Sequence, residues 1–232
     1  MCSLIHSHRF RDGDLEVWRS HALADQLYAR RYKARLEKMR EEAINAIEDF
    51  LSKGEAYCSV SWGKDSVVVA DICQELGVPL VHIKDIPNGS PECELVRDAF
   101  APTRYEEIAV EWTFDGQCWH PPCKRAGFIE ADAKYGGRRI TGLRKQESTQ
   151  RRLRGSHSTQ SSCVPIAKWL IADVFAYLAW LNLPIHPAYA MSNSGQFDRN
   201  HLRVSAIGHK PGSGNGRREW ELMYYGDILC SR

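Results

Sequence analysis

The sequence predicts an α/β fold: a doubly wound, mostly parallel sheet with helices on both faces, preceded by a long N-terminal helix. Two observations carry this. Short β-prone runs alternate with helical stretches from residue 56 to residue 141, the pattern of strand–helix–strand units. Residues 14–52 contain neither proline nor glycine, and Leu15, Trp18, Ala22, Leu36, Met39, Ala43 and Ile47 recur there at helical spacing among Arg, Lys and Glu.

In chain order, residues 14–52 read as one long helix or two abutting ones, a scaffold or dimer-forming arm. Residues 56–60 form the first strand, followed by the loop Ser61-Trp62-Gly63-Lys64-Asp65-Ser66. A helix over 67–76 stops at Gly77, a strand covers 79–84, and a second helix covers 91–100. Residues 108–110 give a third strand, a helix follows Pro122, and 139–141 give a fourth strand. The most apolar stretch, 169–185, is interrupted by Asp173, Asn182 and Pro184 and reads as a buried helix, too short to span a bilayer. In parallel sheets of this kind ligands sit beyond the carboxyl ends of the strands. The functional loops are therefore expected after Val60, Lys84, Val110 and Thr141.

Composition narrows the class. A chain of 232 residues, 43% hydrophobic and 26% charged, is long enough for one substantial core and is neither disordered nor collagen-like. The 31 Lys and Arg nearly balance the 29 Asp and Glu, so the average charge is no argument for nucleic-acid binding. Eight scattered cysteines and no apolar run of the secretory kind in residues 1–10 predict a cytoplasmic protein with reduced thiols and no membrane partner.

The loop after the first strand is the strongest local signal. Free N–H groups and the dipole at a helix N-terminus attract an anion. Gly63 lets the backbone come close to a ligand, the Ser61 and Ser66 hydroxyls donate, and Lys64 supplies a point charge. The spacing is not that of a Walker A loop, and an ordinary serine-capped turn has the same local appearance.

The segment resembles the pyrophosphate loop, Ser-Gly-Gly-Lys-Asp-Ser, of the adenine-nucleotide α-hydrolase (PP-loop ATP pyrophosphatase) superfamily. Within it, the chain most resembles the phosphoadenosine phosphosulfate (PAPS) reductase-like family. Asp85 with Pro91-Glu92-Cys93 is similar to that family's Asp-Thr-Gly and Pro-Glu-Thr. Ile140-Thr141-Gly142-Leu143-Arg144-Lys145-Gln146-Glu147-Ser148, then Arg151-Arg152, resembles its Gly-x-Arg-x-x-Glu-Ser-x-x-Arg signature. Pro165-Ile166-Ala167-Lys168-Trp169, Asp173-Val174, Leu183-Pro184 and Pro187-Ala188-Tyr189 match its downstream helix and turn. The matches run in the family's order over about residues 56–190. On this resemblance the chain divides into a helical arm (1–53), a nucleotide-binding α/β domain (54–190) and a basic, Gly-rich segment packed on it (191–232).

The resemblance implies an enzyme that binds ATP with Mg²⁺ and splits it between the α- and β-phosphates, in sulfur metabolism or sulfur transfer. Ser61, Trp62, Gly63, Lys64, Asp65 and Ser66 would hold the phosphates, with Asp85, Gly142, Arg144, Glu147 and Arg151 completing the nucleotide site. Lys64, Asp65 and Arg144 would act on the reacting phosphates, and Asp65 is also the magnesium candidate. The intact Gly63-Lys64-Asp65-Ser66 favours ATP, because reductases acting on PAPS generally lack it. The alternative is a thiol-dependent reductase of PAPS with Cys230 as nucleophile and a thioredoxin-like or sulfur-carrier partner. A third reading is a silent nucleotide-binding or nucleic-acid-modification partner, with a homodimer compatible with each. Trp62 departs from the family's glycine. A tryptophan resists positive φ, so the expectation is either an ordinary backbone at position 62 or a reshaped loop.

Residues 138–154 hold seven basic side chains and one acid, and 199–218 hold five basic side chains and no acid. Together they make a phosphate track if the acceptor is a nucleic acid. Cys118, His120 and Cys123, completed by Cys163 or His157, have the residue types for zinc or an iron–sulfur cluster; loop and core roles are the favoured reading. Cys123 beside Lys124 and Arg125 is also a candidate sulfur-carrying thiolate. Cys58, Cys73 and His186 read as structural.

Overall fold

A computed structural model describes residues 3–86, 89–111, 113–114, 119–120, 124–147, 158–202, 204, 207 and 217–230. Its centre is a five-stranded parallel sheet in the order β4-β3-β2-β7-β8. These strands are β2 (Tyr57–Val60), β3 (Leu80–Ile86), β4 (Tyr105–Glu111), β7 (Arg139–Thr141) and β8 (Ser162–Cys163). The chain builds outward from β2 to β4, then crosses to lay β7 on the other side of β2, so the sheet is doubly wound about β2. Two short pairs lie outside it. β1 (Ser3–Leu4) runs parallel to β9 (Pro184–Ile185), and β5 (Thr113–Phe114) runs antiparallel to β6 (Trp119–His120).

Alternation along the strands separates two apolar layers. Tyr57, Val81, Ile83, Ile108 and Val110 face α5 (Lys124–Tyr135) through Ala131. Cys58, Val60 and Leu80 face the other way into the larger layer, with α3 (Lys64–Glu75) and α6 (Ile171–Trp180). α4 (Glu92–Phe100) joins this layer through Val96.

The N-terminal stretch is two helices, α1 (Asp14–Arg31) and α2 (Lys33–Leu51), rather than one. Tyr32 leaves the helical region at φ −115°, ψ 27°. The break lets both helices converge on α6. Tyr28 of α1 and Arg35 of α2 each donate to the fully buried carboxylate of Asp173, at 2.9 and 3.0 Å, and Asp173 also accepts the Leu170 N–H at 2.9 Å. A second tie is the two-pronged pair of Arg199 with Asp25, both contacts 2.7 Å, over the ring of Phe175.

Two expectations need correction. The buried helix of the apolar stretch is only Ile171–Trp180; Asn182 turns the chain at φ 54°, and Pro184–Ile185 leaves as a strand. α3 begins at Lys64, three residues early, so Lys64, Asp65 and Ser66 belong to the first helical turn rather than to a loop. Within the basic, Gly-rich segment lies a further helix, α7 (Arg217–Cys230), with Trp220, Tyr224 and Tyr225 as its buried face. Among the described residues no helix is long and apolar enough to cross a membrane.

Candidate active site

The strand-to-helix turn after β2 is where the site assembles. Trp62 takes the left-handed conformation, φ 57°, which the sequence reading disfavoured for a tryptophan. A non-glycine residue there carries a backbone cost of about 1–2 kcal/mol. Burial offsets it: the Trp62 ring is 1% exposed and lies 5.6 and 5.7 Å from the rings of Phe100 and Tyr105. Gly63 is extended at φ −80°, so its lack of a side chain serves proximity rather than φ. A Cβ there would come within 3.1 Å of the Tyr189 hydroxyl.

Ser66 braces the turn. Its Oγ accepts from the Ser61 N–H at 3.2 Å and donates to the Gly63 carbonyl at 2.9 Å. The Lys64 N–H, first in the helix, donates to Tyr189 Oη at 3.1 Å, and the Lys64 ammonium lies 4.9 Å from the Tyr189 ring. Asp65 gathers two cations: Lys64 Nζ stands 3.1 Å from one carboxylate oxygen and Arg144 Nε 2.5 Å from the other. Lys64 and Arg144 are both buried. Gly142, after β7, is the second close approach. A Cβ there would meet the Asp65 carbonyl at 2.6 Å, so only glycine lets the β7 loop close over the start of α3 and bring Arg144 to Asp65.

A cleft of about 420 Å³ opens beside the turn, between the carboxyl ends of β2 and β3 and the start of α4. This is the size of a small-ligand site, in the place expected for a parallel sheet. Trp62, Lys84, Asp85, Cys93, Glu107 and Lys124 are among the residues that line it. Asp85 is buried and pairs with Lys124 at 2.9 Å. Burial, reinforced by Glu92, pushes the Cys93 thiol up to about 12, so it is no thiolate at neutral pH.

Behind the cleft wall is a buried polar chain. His186 Nδ1 accepts the Ala188 N–H at 3.1 Å, so its proton sits on Nε2, which donates to Ser90 Oγ at 3.2 Å; Ser90 in turn donates to Glu92 at 2.9 Å. Glu92 also accepts from Ser7 and Tyr225, each at 3.2 Å, and forms an ion pair with Arg9 at 3.2 Å. The histidine is therefore a donor toward the serine, and the chain fixes the Pro91-Glu92-Cys93 turn rather than activating a nucleophile.

The structure thus brings together Ser61, Trp62, Gly63, Lys64, Asp65, Ser66, Gly142 and Arg144, with Asp85 on the adjoining cleft wall. Cys118, Cys123, His157 and Arg151 lie outside the described residues, as do the side chains of His120, Glu147 and Cys230; the backbone at Cys230 ends α7. Cys163 stands fully buried on β8, its thiol donating to the Ala46 carbonyl at 3.7 Å and pushed up by burial. The residues present do not fit a magnesium ion at Asp65, because each of its oxygens already faces a cation. Among the described residues no three His, Cys, Asp or Glu side chains are grouped to hold a metal.

The sequence reading missed Tyr189, Lys84 and Glu107 as site residues. Lys84 sits one register step from the expected loop after β3, and Glu107 pairs with it from β4. Tyr189 carries no signal beyond the motif that contains it.

No family model matches the chain, and no curated protein matches it. Solved structures similar to it include a phosphoadenylyl-sulfate (PAPS) reductase from Candida auris in a phosphate complex, 14% identical, at a TM-score of 0.46 over 65% of this chain and 87% of that one. Another is a Candida glabrata FMN adenylyltransferase in complex with ATP, 16% identical, at a TM-score of 0.39 over 62% of this chain and 55% of that one. The site's chemistry rests on its own residues.

Proposed function

We propose that the chain is a PP-loop-type enzyme that binds an adenine nucleotide and cleaves ATP between the α- and β-phosphates. The observation that supports this is the gathering of Lys64 and Arg144 on Asp65 at the start of α3, beside a cleft of nucleoside size. Bound phosphates would face the first turn of α3 and share both cations with Asp65. An acceptor oxygen then forms a bond to the α-phosphorus as the bond to the bridging α,β-oxygen breaks, and pyrophosphate leaves with the electron pair. Lys64 stabilises the charge on that leaving group, and Arg144 steadies the α-phosphate. The phosphates themselves carry the magnesium ion that accompanies ATP in solution, so no protein carboxylate is assigned to it. The acceptor and a role in sulfur transfer belong to the same proposal.

Pyrophosphate release from ATP is the direct test, with wild type beside Lys64→Ala. Release in wild type that falls about 100-fold in the variant supports the reading. No release from a folded wild-type chain that nevertheless binds PAPS would overturn it.

A further inference from the structure

A nucleotide whose phosphates lie on the Ser61–Ser66 turn has its sugar in the adjoining cleft, since Ser61 and Trp62 belong to both. The charges that line this cleft describe what the sugar can carry. Among the described residues three cations face it, Lys84, Arg97 and Lys124, and so do three carboxylates, Asp85, Glu94 and Glu107. Every one of these cations is already held. Lys84 Nζ lies 2.5 Å from Glu94 and 3.0 Å from Glu107; Arg97 reaches Asp98 at 2.8 Å and Glu107 at 3.6 Å; Lys124 lies 2.9 Å from Asp85. His82 adds no charge. Its Nδ1–H donates to the Val60 carbonyl at 2.8 Å, which leaves Nε2 as an acceptor, and burial lowers its pKa.

We propose that this cleft selects adenine nucleotides with a free ribose 3′-hydroxyl and rejects those carrying a 3′-phosphate. The inference rests on the nucleotide reading above and narrows it to a substrate class. A 3′-phosphate brings two negative charges and needs cationic partners in bidentate or clustered form. Here it would have to compete with Glu107 for Lys84 and Arg97, and taking both would leave that carboxylate only the Tyr105 hydroxyl in a confined site. Glu107 is held ionised: burial opposes this, but hydrogen bonds from Lys84 and Tyr105 outweigh burial and lower its pKa. Hydroxyl groups meet the opposite situation, because the carboxylates and His82 Nε2 are acceptors for ribose donors.

The test compares adenosine 5′-monophosphate with adenosine 3′,5′-bisphosphate, which differ only in the 3′-group, by calorimetry on the full chain at physiological salt. The bisphosphate is expected to bind at least about 10-fold more weakly, as a like-charge clash at close range requires. In Glu107→Gln, which removes the carboxylate that Lys84 and Arg97 share, the gap is expected to shrink to within about threefold. A bisphosphate that binds wild type as tightly as the monophosphate, or a gap untouched by Glu107→Gln, would overturn the selectivity alone. Binding of neither by a chain that melts cooperatively would overturn the nucleotide reading and this inference with it.

Discussion

Tyr189 holds Lys64 at both ends: its hydroxyl accepts the Lys64 N–H at 3.1 Å, and its ring lies 4.9 Å from the Lys64 ammonium. That one side chain fixes where α3 begins, where its first cation points, and why the preceding residue is glycine. Burial raises the Tyr189 pKa although Lys64 pulls the other way, so the group is a neutral hydroxyl at physiological pH.

The two contacts can be separated. Tyr189→Phe keeps the ring and removes the acceptor, which should cost about 1 kcal/mol in urea unfolding and leave ATP affinity within about twofold. Tyr189→Leu removes the ring as well, frees the ammonium to swing away, and should weaken ATP binding about 10-fold. Equal ATP affinity for the Leu variant and wild type would show that the ring only packs.

Asp65 gives the second prediction. It is the shared counter-ion of two buried cations, so Asp65→Asn leaves Lys64 and Arg144 without that charge. Breaking such a buried set costs about 3 kcal/mol or more. The variant should therefore melt well below wild type without ligand and regain most of the difference in millimolar pyrophosphate, which supplies the missing negative charge. A magnesium ligand would behave otherwise: the variant would melt like wild type, and pyrophosphate would not rescue it.

The central strands were legible because β2 and β3 carry β-prone residues close to Gly54 and Pro79, and β7 falls where its three residues were expected, between Gly137 and Gly142. The loop positions followed from the parallel sheet alone. What stayed hidden was hidden for physical reasons. Lys64-Asp65-Ser66 looks like loop chemistry, yet the Tyr189 cap that starts the helix there comes from a residue 125 positions away. α7 is masked by the Gly-rich run before it and by the kink at Tyr225, φ −129°, which breaks its periodicity. β8 is two residues long in a serine-rich stretch and has no β signal of its own.

Trp62 is the clearest case of tertiary context overriding local preference, and it can be weighed. Trp62→Gly gains about 1–2 kcal/mol by relieving the left-handed backbone. It loses about 3–5 kcal/mol of buried ring against Phe100 and Tyr105. The net expectation is a loss of about 2 kcal/mol, measured by urea unfolding, with the turn itself unchanged and ATP affinity within about threefold. A variant more stable than wild type would mean that the ring adds little to the core.

The buried chain behind the cleft makes the protein acid-sensitive in a window set by His186. Burial lowers its pKa from the model-compound value of 6.5 to about 3. A second proton would have to sit on Nδ1, against the Ala188 N–H that it accepts at 3.1 Å. The unfolded chain therefore takes up the proton first as pH falls. The stability from neutral His186 is full above about pH 6.5 and is lost toward pH 3, at up to about 1.4 kcal/mol for each pH unit. His186→Asn keeps an acceptor at the Nδ1 position and removes the titration. The unfolding free energy from urea titrations between pH 6.5 and 4.5 should then fall less steeply, by about 1 kcal/mol per pH unit, than in wild type. His82, also depressed by burial, keeps its own acid limb in both proteins. Parallel slopes in the two would place the acid sensitivity elsewhere, on carboxylates such as Glu107 whose pairing is lost at lower pH.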